Sequence, residues 1–125
     1  MEILLPCSLG ELYDKITILQ IKSNNISDPK KKANVQKELK SLLKIAEEYP
    51  INPDLHRDLL MINREIWDIE DGIRIEEKNK DYGDDFIQLA RSVYFKNDRR
   101  AEIKKEINIQ YGSNIVEEKS YEEYN

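Results

Sequence analysis

An apolar run at Leu55, Leu59, Ile62, Ile66, Ile69 and Ile73, spaced 4, 3, 4, 3 and 4, constrains this chain more than any other feature. That spacing lays all six side chains along one face of a helix, whereas a strand would scatter them over two faces. It predicts a helix over 54–80 with Asp54 as N-cap, roughly 40 Å long at 1.5 Å per residue. A heptad seam of that length needs a long partner. Tyr82-Gly83-Asp84-Asp85 supplies a turn, and a helix over 86–111 returns from it and ends at Gly112. Its expected core face is Phe86, Leu89, Ala90, Val93 and Ala101, with Asn97 inside the stripe.

Two further helices precede this hairpin. Ser8 stands three residues before Glu11, the spacing of a capping box, and opens a helix over 9–25. Leu9, Leu12, Ile16, Leu19 and Ile26 form its stripe, which Ile18 and Ile21 widen enough for more than one neighbour. Asp28 and Pro29 suit the cap and first position of a helix over 29–48. Val35, Leu39, Leu42, Leu43 and Ala46 mark its apolar side, and six Lys against one Glu over 30–44 give a net charge of +5. Pro50 and Pro53 then break the chain. The 125 residues, 39% apolar and 36% charged, suit one domain over 1–125. The expected fold is all-α: four helices in two antiparallel hairpins, one short and one long, bundle-like, with an acidic tail over 113–125. That tail carries a net charge of −3 and the anchors Ile115, Val116 and Tyr121, and is either free or pinned to a neighbour.

One Cys and one His exclude a disulfide framework, a Cys-based zinc site and a multi-His metal site. His56 and Cys7 have no evident chemical partner. The apolar stretches are too short for a membrane span, and residues 1–6 lack a basic n-region, so a cytoplasmic setting is expected. A net charge of −5 and a pI of about 5.0 argue against nucleic acid as a partner. No Gly-rich phosphate loop is present.

Charge is unevenly distributed: residues 65–85 are net −6 and residues 91–105 net +4. In a hairpin about Gly83, Arg99, Arg100 and Lys104 fall beside Glu65, Asp68 and Glu70, which predicts intramolecular ion pairs. Two carboxylates at i, i+3 recur at Glu65 and Asp68 on the long helix, with Asp71 a turn further, and at Glu11 and Asp14 on the first. Helices packed on such pairs could hold Mg²⁺. The all-α nucleotide pyrophosphatases use an ExxE helix followed by an ExxD helix. Glu65 to Asp68 is similar to the second, but Glu11 to Asp14 departs from the first and lies far upstream. Asn97-Asp98-Arg99-Arg100 is unusual for a helix middle, since Asn and Asp compete with the helical backbone. Arg99, Arg100 and Lys104 could cradle a phosphate facing Trp67, or form a buried ion-pair network.

The segments Gly10-Glu11-Leu12 with Asp14 to Leu19, Ile66 to Asp71, Leu89 to Tyr94, Asn97 to Ala101, and Val116 to Tyr121 together make the sequence resemble a family of short bacterial all-helical proteins known only as a domain of unknown function. The resemblance implies no reaction, substrate or cofactor. It implies a whole small protein, tail included. The polar residues to probe are Glu11, Asp14, Lys15, Trp67, Asp68, Glu70, Asp71, Arg74, Asn97, Asp98, Arg99, Arg100 and Lys104. The expected function is a non-enzymatic interaction or assembly protein acting as a homodimer, without a cofactor and with a protein partner of unknown identity. The alternative is a divalent-metal-dependent enzyme, or a binder of a phosphorylated small molecule, with Glu65, Asp68 and Asp71 as ligands to Mg²⁺.

Overall fold

The computed structural model describes residues 1–124; Asn125, the last residue of the expected tail, lies outside the described residues. Four helices follow one another: α1 (Leu9–Asn25), α2 (Pro29–Ala46), α3 (Pro53–Lys78) and α4 (Asp84–Gln110). The starts of α1, α2 and α3 answer the free amides of a first turn with a side-chain cap. Ser8 accepts from the Glu11 amide at 3.1 Å and Asp28 from the Lys30 amide at 3.1 Å. Only the Ser8 half of the capping box is made, because the Glu11 carboxylate turns to Lys104. At α3 the cap is Asn52, not Asp54: Asn52 accepts from the Asp54 amide at 2.8 Å, and Pro53 takes the first helical position. The start of α4 has no side-chain cap; Asp84 and Asp85 lie in its first turn instead, where their charge favours the helix dipole.

Both long helices end in the same device. Ser113 donates its backbone amide to the Asn108 carbonyl at 2.8 Å and Gly112 to the Ile109 carbonyl at 3.3 Å, the Schellman pattern, with Gly112 in the left-handed region at φ 64°. At the end of α3 the Asp81 amide reaches the Glu76 carbonyl at 2.9 Å and the Lys80 amide the Glu77 carbonyl at 3.0 Å. There the left-handed residue is Lys80, at φ 53°.

The core sits where α1 crosses the hairpin. α1 packs against α2, α3 and α4, and α3 packs along α4. Ile16, Leu59 and Ile107 are wholly buried at its centre, joined by Tyr13, Ala46, Leu55, Ile62, Ile66 and Ile103. The Tyr13 hydroxyl donates to the Tyr49 carbonyl at 2.7 Å, and the Tyr111 hydroxyl accepts from the Asn52 amide, so two phenols pin the proline-rich link between α2 and α3. α1 approaches α4 closely at Gly10. Its amide donates to Asn108 Oδ1 at 2.7 Å, and a Cβ there would lie 2.6 Å from the Lys104 carbonyl oxygen.

Coverage by α1 ends partway along the hairpin. Leu55, Leu59, Ile62 and Ile66 of the heptad seam are buried, but Ile69 and Ile73 are only half-buried. Among the described residues, no side chain from 67 to 102 is fully buried. The expected core face of α4 is corrected accordingly: Phe86, Leu89, Val93 and Ala101 are half-buried and Ala90 is exposed, while Ile103, Lys104, Ile107 and Asn108 are the buried positions. A 17-residue α1 cannot span a 26-residue α3. The remainder stands out as a two-helix arm.

Two glycine substitutions should have opposite signs. Gly10→Ala forces α1 off the Lys104 carbonyl and should cost about 1–3 kcal/mol. Lys80→Gly relieves a left-handed side chain and should stabilise by about 0.5–1 kcal/mol after the entropy of the more flexible unfolded chain. Urea denaturation monitored by helical circular dichroism measures both.

Candidate functional site

A polar layer lies beside the apolar core, built on Asn63 of α3. Asn63 is 4% exposed and adjoins Leu59, Ile62 and Ile66. Its amide nitrogen donates to Asp14 Oδ1 and to Thr17 Oγ1, each at 2.8 Å, and the Thr17 hydroxyl donates onward to the Asp14 backbone carbonyl at 2.8 Å. The remaining Asn63 oxygen accepts from Arg100 Nη1 at 3.2 Å, while Arg100 Nη2 donates to Asn97 Oδ1 at 2.8 Å, one turn back on α4. The guanidinium is therefore held by two neutral amide oxygens. Among the described residues, no carboxylate oxygen lies within 4.0 Å of it.

Lys104, one turn further along α4 and 7% exposed, is treated differently. Its ammonium donates to Glu11 Oε2 at 2.8 Å and to Glu117 Oε2 at 2.9 Å, with Asp14 Oδ2 at 3.8 Å. Burial pushes the Lys104 pKa down, but the hydrogen bonds to Glu11 and Glu117 and the Asp14 charge outweigh it, and the net direction is up. Glu117 is held below the usual carboxylate range, chiefly by its bond to Lys104 and against a smaller effect of burial, with Lys119 adding at 3.2 Å.

The C-terminal segment reaches this place by folding back along α4. Ser113 Oγ accepts from the Leu9 amide at 3.3 Å and donates to the Ile115 carbonyl at 2.9 Å. Farther on, the Tyr124 hydroxyl donates to Asp98, and its ring stands edge-on to Tyr94 and Phe95 at 5.0 Å from each. The bond to the Asp98 carboxylate, with burial and neighbouring charge adding to it, pushes the Tyr124 pKa up to about 12. Between these contacts Glu117 and Lys119 form one wall of a cleft of about 280 Å³. Glu11, Asn97, Arg100, Ala101 and Lys104 complete it, Ala101 being the single apolar residue of the lining.

Of the polar residues singled out in the sequence, Glu11, Asp14, Asn97, Arg100 and Lys104 are brought together. Lys15, Asp68, Glu70, Asp71 and Arg74 are exposed elsewhere, and Trp67 is half-buried on the arm. Asp98 holds Tyr124, and Arg99 pairs with Glu102 on its own helix at 3.4 Å. The expected ladder of Arg99, Arg100 and Lys104 with Glu65, Asp68 and Glu70 does not form. Glu65 meets Lys96 at 3.0 Å, Arg100 meets Asn63, and Lys104 meets α1 and the C-terminal segment. The cause is register: α3 ends at Lys78 and α4 begins at Asp84, so the turn centres near Asp81 rather than Gly83. That shift moves the facing positions on α4 by about one helical turn. Glu65, Asp68 and Asp71 do not converge either; among the described residues, no three His, Cys, Asp or Glu side chains are grouped to hold a metal ion.

Sequence reasoning did not single out Asn63, Thr17, Glu117 or Lys119, although the last three lie in segments that carry the family resemblance. Asn63 carried a signal, a polar residue beside the seam, but Glu117 and Lys119 come from a segment whose path no periodicity reveals.

Asn63→Leu preserves bulk but strips Asp14, Thr17 and Arg100 of a shared partner, and should cost about 1–3 kcal/mol in urea denaturation. The docking of the C-terminal segment should also depend on pH. Because Glu117 is depressed in the fold, its contribution is present above the ordinary Glu range and is lost as pH falls through the lower folded value. Lys104 is raised, so its contribution is full below the ordinary Lys range and is lost only above it. Amide NMR signals of Ser113 and Tyr124 should stay constant across neutral pH and shift at the acid end.

Neither a curated protein nor a solved structure matches the chain. A family model described as a family of unknown function, DUF6165, matches residues 3–124. With nearly the whole chain matched, including the Glu117 segment that closes the cleft, the protein belongs to this family of unknown function.

Proposed function

We propose that the protein is a non-enzymatic interaction protein that assembles with a second copy of itself through the α3–α4 arm. The observation that carries this reading is the uncovered half of the hairpin. Ile69 and Ile73 of α3 and Phe86, Leu89 and Val93 of α4 continue the seam but are only half-buried, and Ile75 and Ile87 are 58% and 47% exposed. Apolar side chains in that continuity mark association surfaces.

Charge favours a second copy as the occupant. The stretch 65–85 is net −6, while 30–44 on α2 is net +5. Within one molecule α2 packs along α1 and makes no contact with the arm. In a two-fold pair, the acidic arm of each copy can lie on the lysine face of the other's α2, which satisfies both patches at once. Three facing carboxylates and a raised pKa keep the Lys104 ammonium protonated, which disfavours a nucleophile or general-base role for it.

Sedimentation velocity at tens of micromolar protein should give a dimer. The exposed pair Ile75→Glu and Ile87→Glu should convert it to a monomer with unchanged helical content, and raising ionic strength toward about 1 M should weaken it by screening the charged patches. A wild-type monomer at that concentration overturns the reading.

A further inference from the structure

We propose that the cleft between α1, α4 and the C-terminal segment is a binding site for a small zwitterion carrying a carboxylate and an ammonium group, of the amino-acid type, with Arg100 receiving the carboxylate. The inference goes beyond self-association and does not depend on it.

Arg100 is held with donors to spare. Two of its five N–H donors are engaged, by Asn63 Oδ1 and Asn97 Oδ1. Asn63 cannot turn away, since both of its own amide protons are committed to Asp14 and Thr17. The guanidinium is thus fixed in place by neutral groups and keeps its full charge and three donors. A structural arginine in a protein with 25 acidic residues would ordinarily be met by a carboxylate. A planar fork held ready, and met by no carboxylate among the described residues, is the arrangement that receives a carboxylate bidentately.

The opposite end of the cleft has the opposite sign. Glu11, Asp14 and Glu117 surround Lys104, and Lys119 pairs with Glu117 at 3.2 Å, leaving that end formally net −1, while Arg100 makes the other end net +1. The site as a whole is neutral and dipolar. A simple anion would satisfy Arg100 but meet the carboxylates, and a simple cation would do the reverse. A ligand with both charges and no net charge satisfies each end without leaving an uncompensated ion in a half-buried space. The volume, about 280 Å³, lies at the small end of ligand pockets. The nearly all-polar lining suits a polar ligand.

Saturation-transfer NMR on the full chain with a mixture of the proteinogenic amino acids tests the proposal. At least one should bind. Its affinity should then be measured by calorimetry beside two analogues, the amide that lacks the carboxylate and the hydroxy acid that lacks the ammonium, and beside inorganic phosphate. Each should bind at least tenfold more weakly. Arg100→Gln should weaken the amino acid about 10- to 100-fold, the range for charge-assisted hydrogen bonds, and Arg100→Lys, which keeps the charge but loses the fork, should recover only part. Circular dichroism and urea midpoints confirm that both variants fold; if Arg100→Gln does not, Arg100→Lys carries the test. No amino acid bound at millimolar concentration overturns the proposal, as does a hydroxy acid or phosphate bound as tightly as the amino acid, or an affinity indifferent to Arg100. The Ile75→Glu and Ile87→Glu variant should bind as the wild type does, so failure of self-association and failure of this site are read separately.

Discussion

The side-chain amide of Asn63 connects everything that distinguishes this fold. Its two protons hold Asp14 and Thr17 of α1, and its oxygen holds Arg100 of α4. Three helices that could slide on apolar contacts are thereby given one register. An apolar residue at this position would pack equally well, but Asp14 and Arg100 would lose their shared partner in a half-dry interior. The same bonds orient Asp14 toward Lys104 and keep Arg100 clear of carboxylates. Register and site chemistry thus rest on one residue.

The hairpin is asymmetric along its length for a simple geometric reason. α1 is long enough to cover one half, and there the seam is buried and the polar layer closes over it. Beyond Ile66 the same apolar periodicity continues with two helices only, and two helices leave an outer face on each side. The protein therefore has a sealed end, where the C-terminal segment folds back over charged groups, and an open end, whose apolar and acidic surface is only partly covered. Close approach of α1 to α4 at Gly10 sets how tightly the sealed end is drawn.

The C-terminal segment belongs to the sealed end although its described residues after Gly112 form no helix or strand. Its sequence left it either free or pinned by Ile115, Val116 and Tyr121; it is pinned, but Ile115 and Tyr121 are exposed and the contacts are Glu117 on Lys104 and Tyr124 on Asp98, Tyr94 and Phe95. The Schellman turn at Gly112 makes this possible, because it reverses the chain so that it runs back along α4.

The heptad at Leu55 to Ile73, the caps at Ser8 and Asp28 and the breaks at Pro50, Pro53 and Gly112 determined by themselves that the chain folds into four helices, since these are local preferences written within a few residues. They also set which residues of α3 face inward. Glu11, Asp14, Asn97, Arg100 and Lys104 were visible as polar residues at helical spacing, but their partners were not. Which α4 residue meets which α3 residue depends on where the turn centres, and a displacement of two residues, from Gly83 to Asp81, replaces an expected ladder of ion pairs by amide contacts. Whether α4 is buried at Phe86 or at Ile107 depends on where α1 lies across it. Only the tertiary structure decided those points, because they depend on distances between segments that lie tens of residues apart in the chain, and sequence periodicity carries no information about such distances.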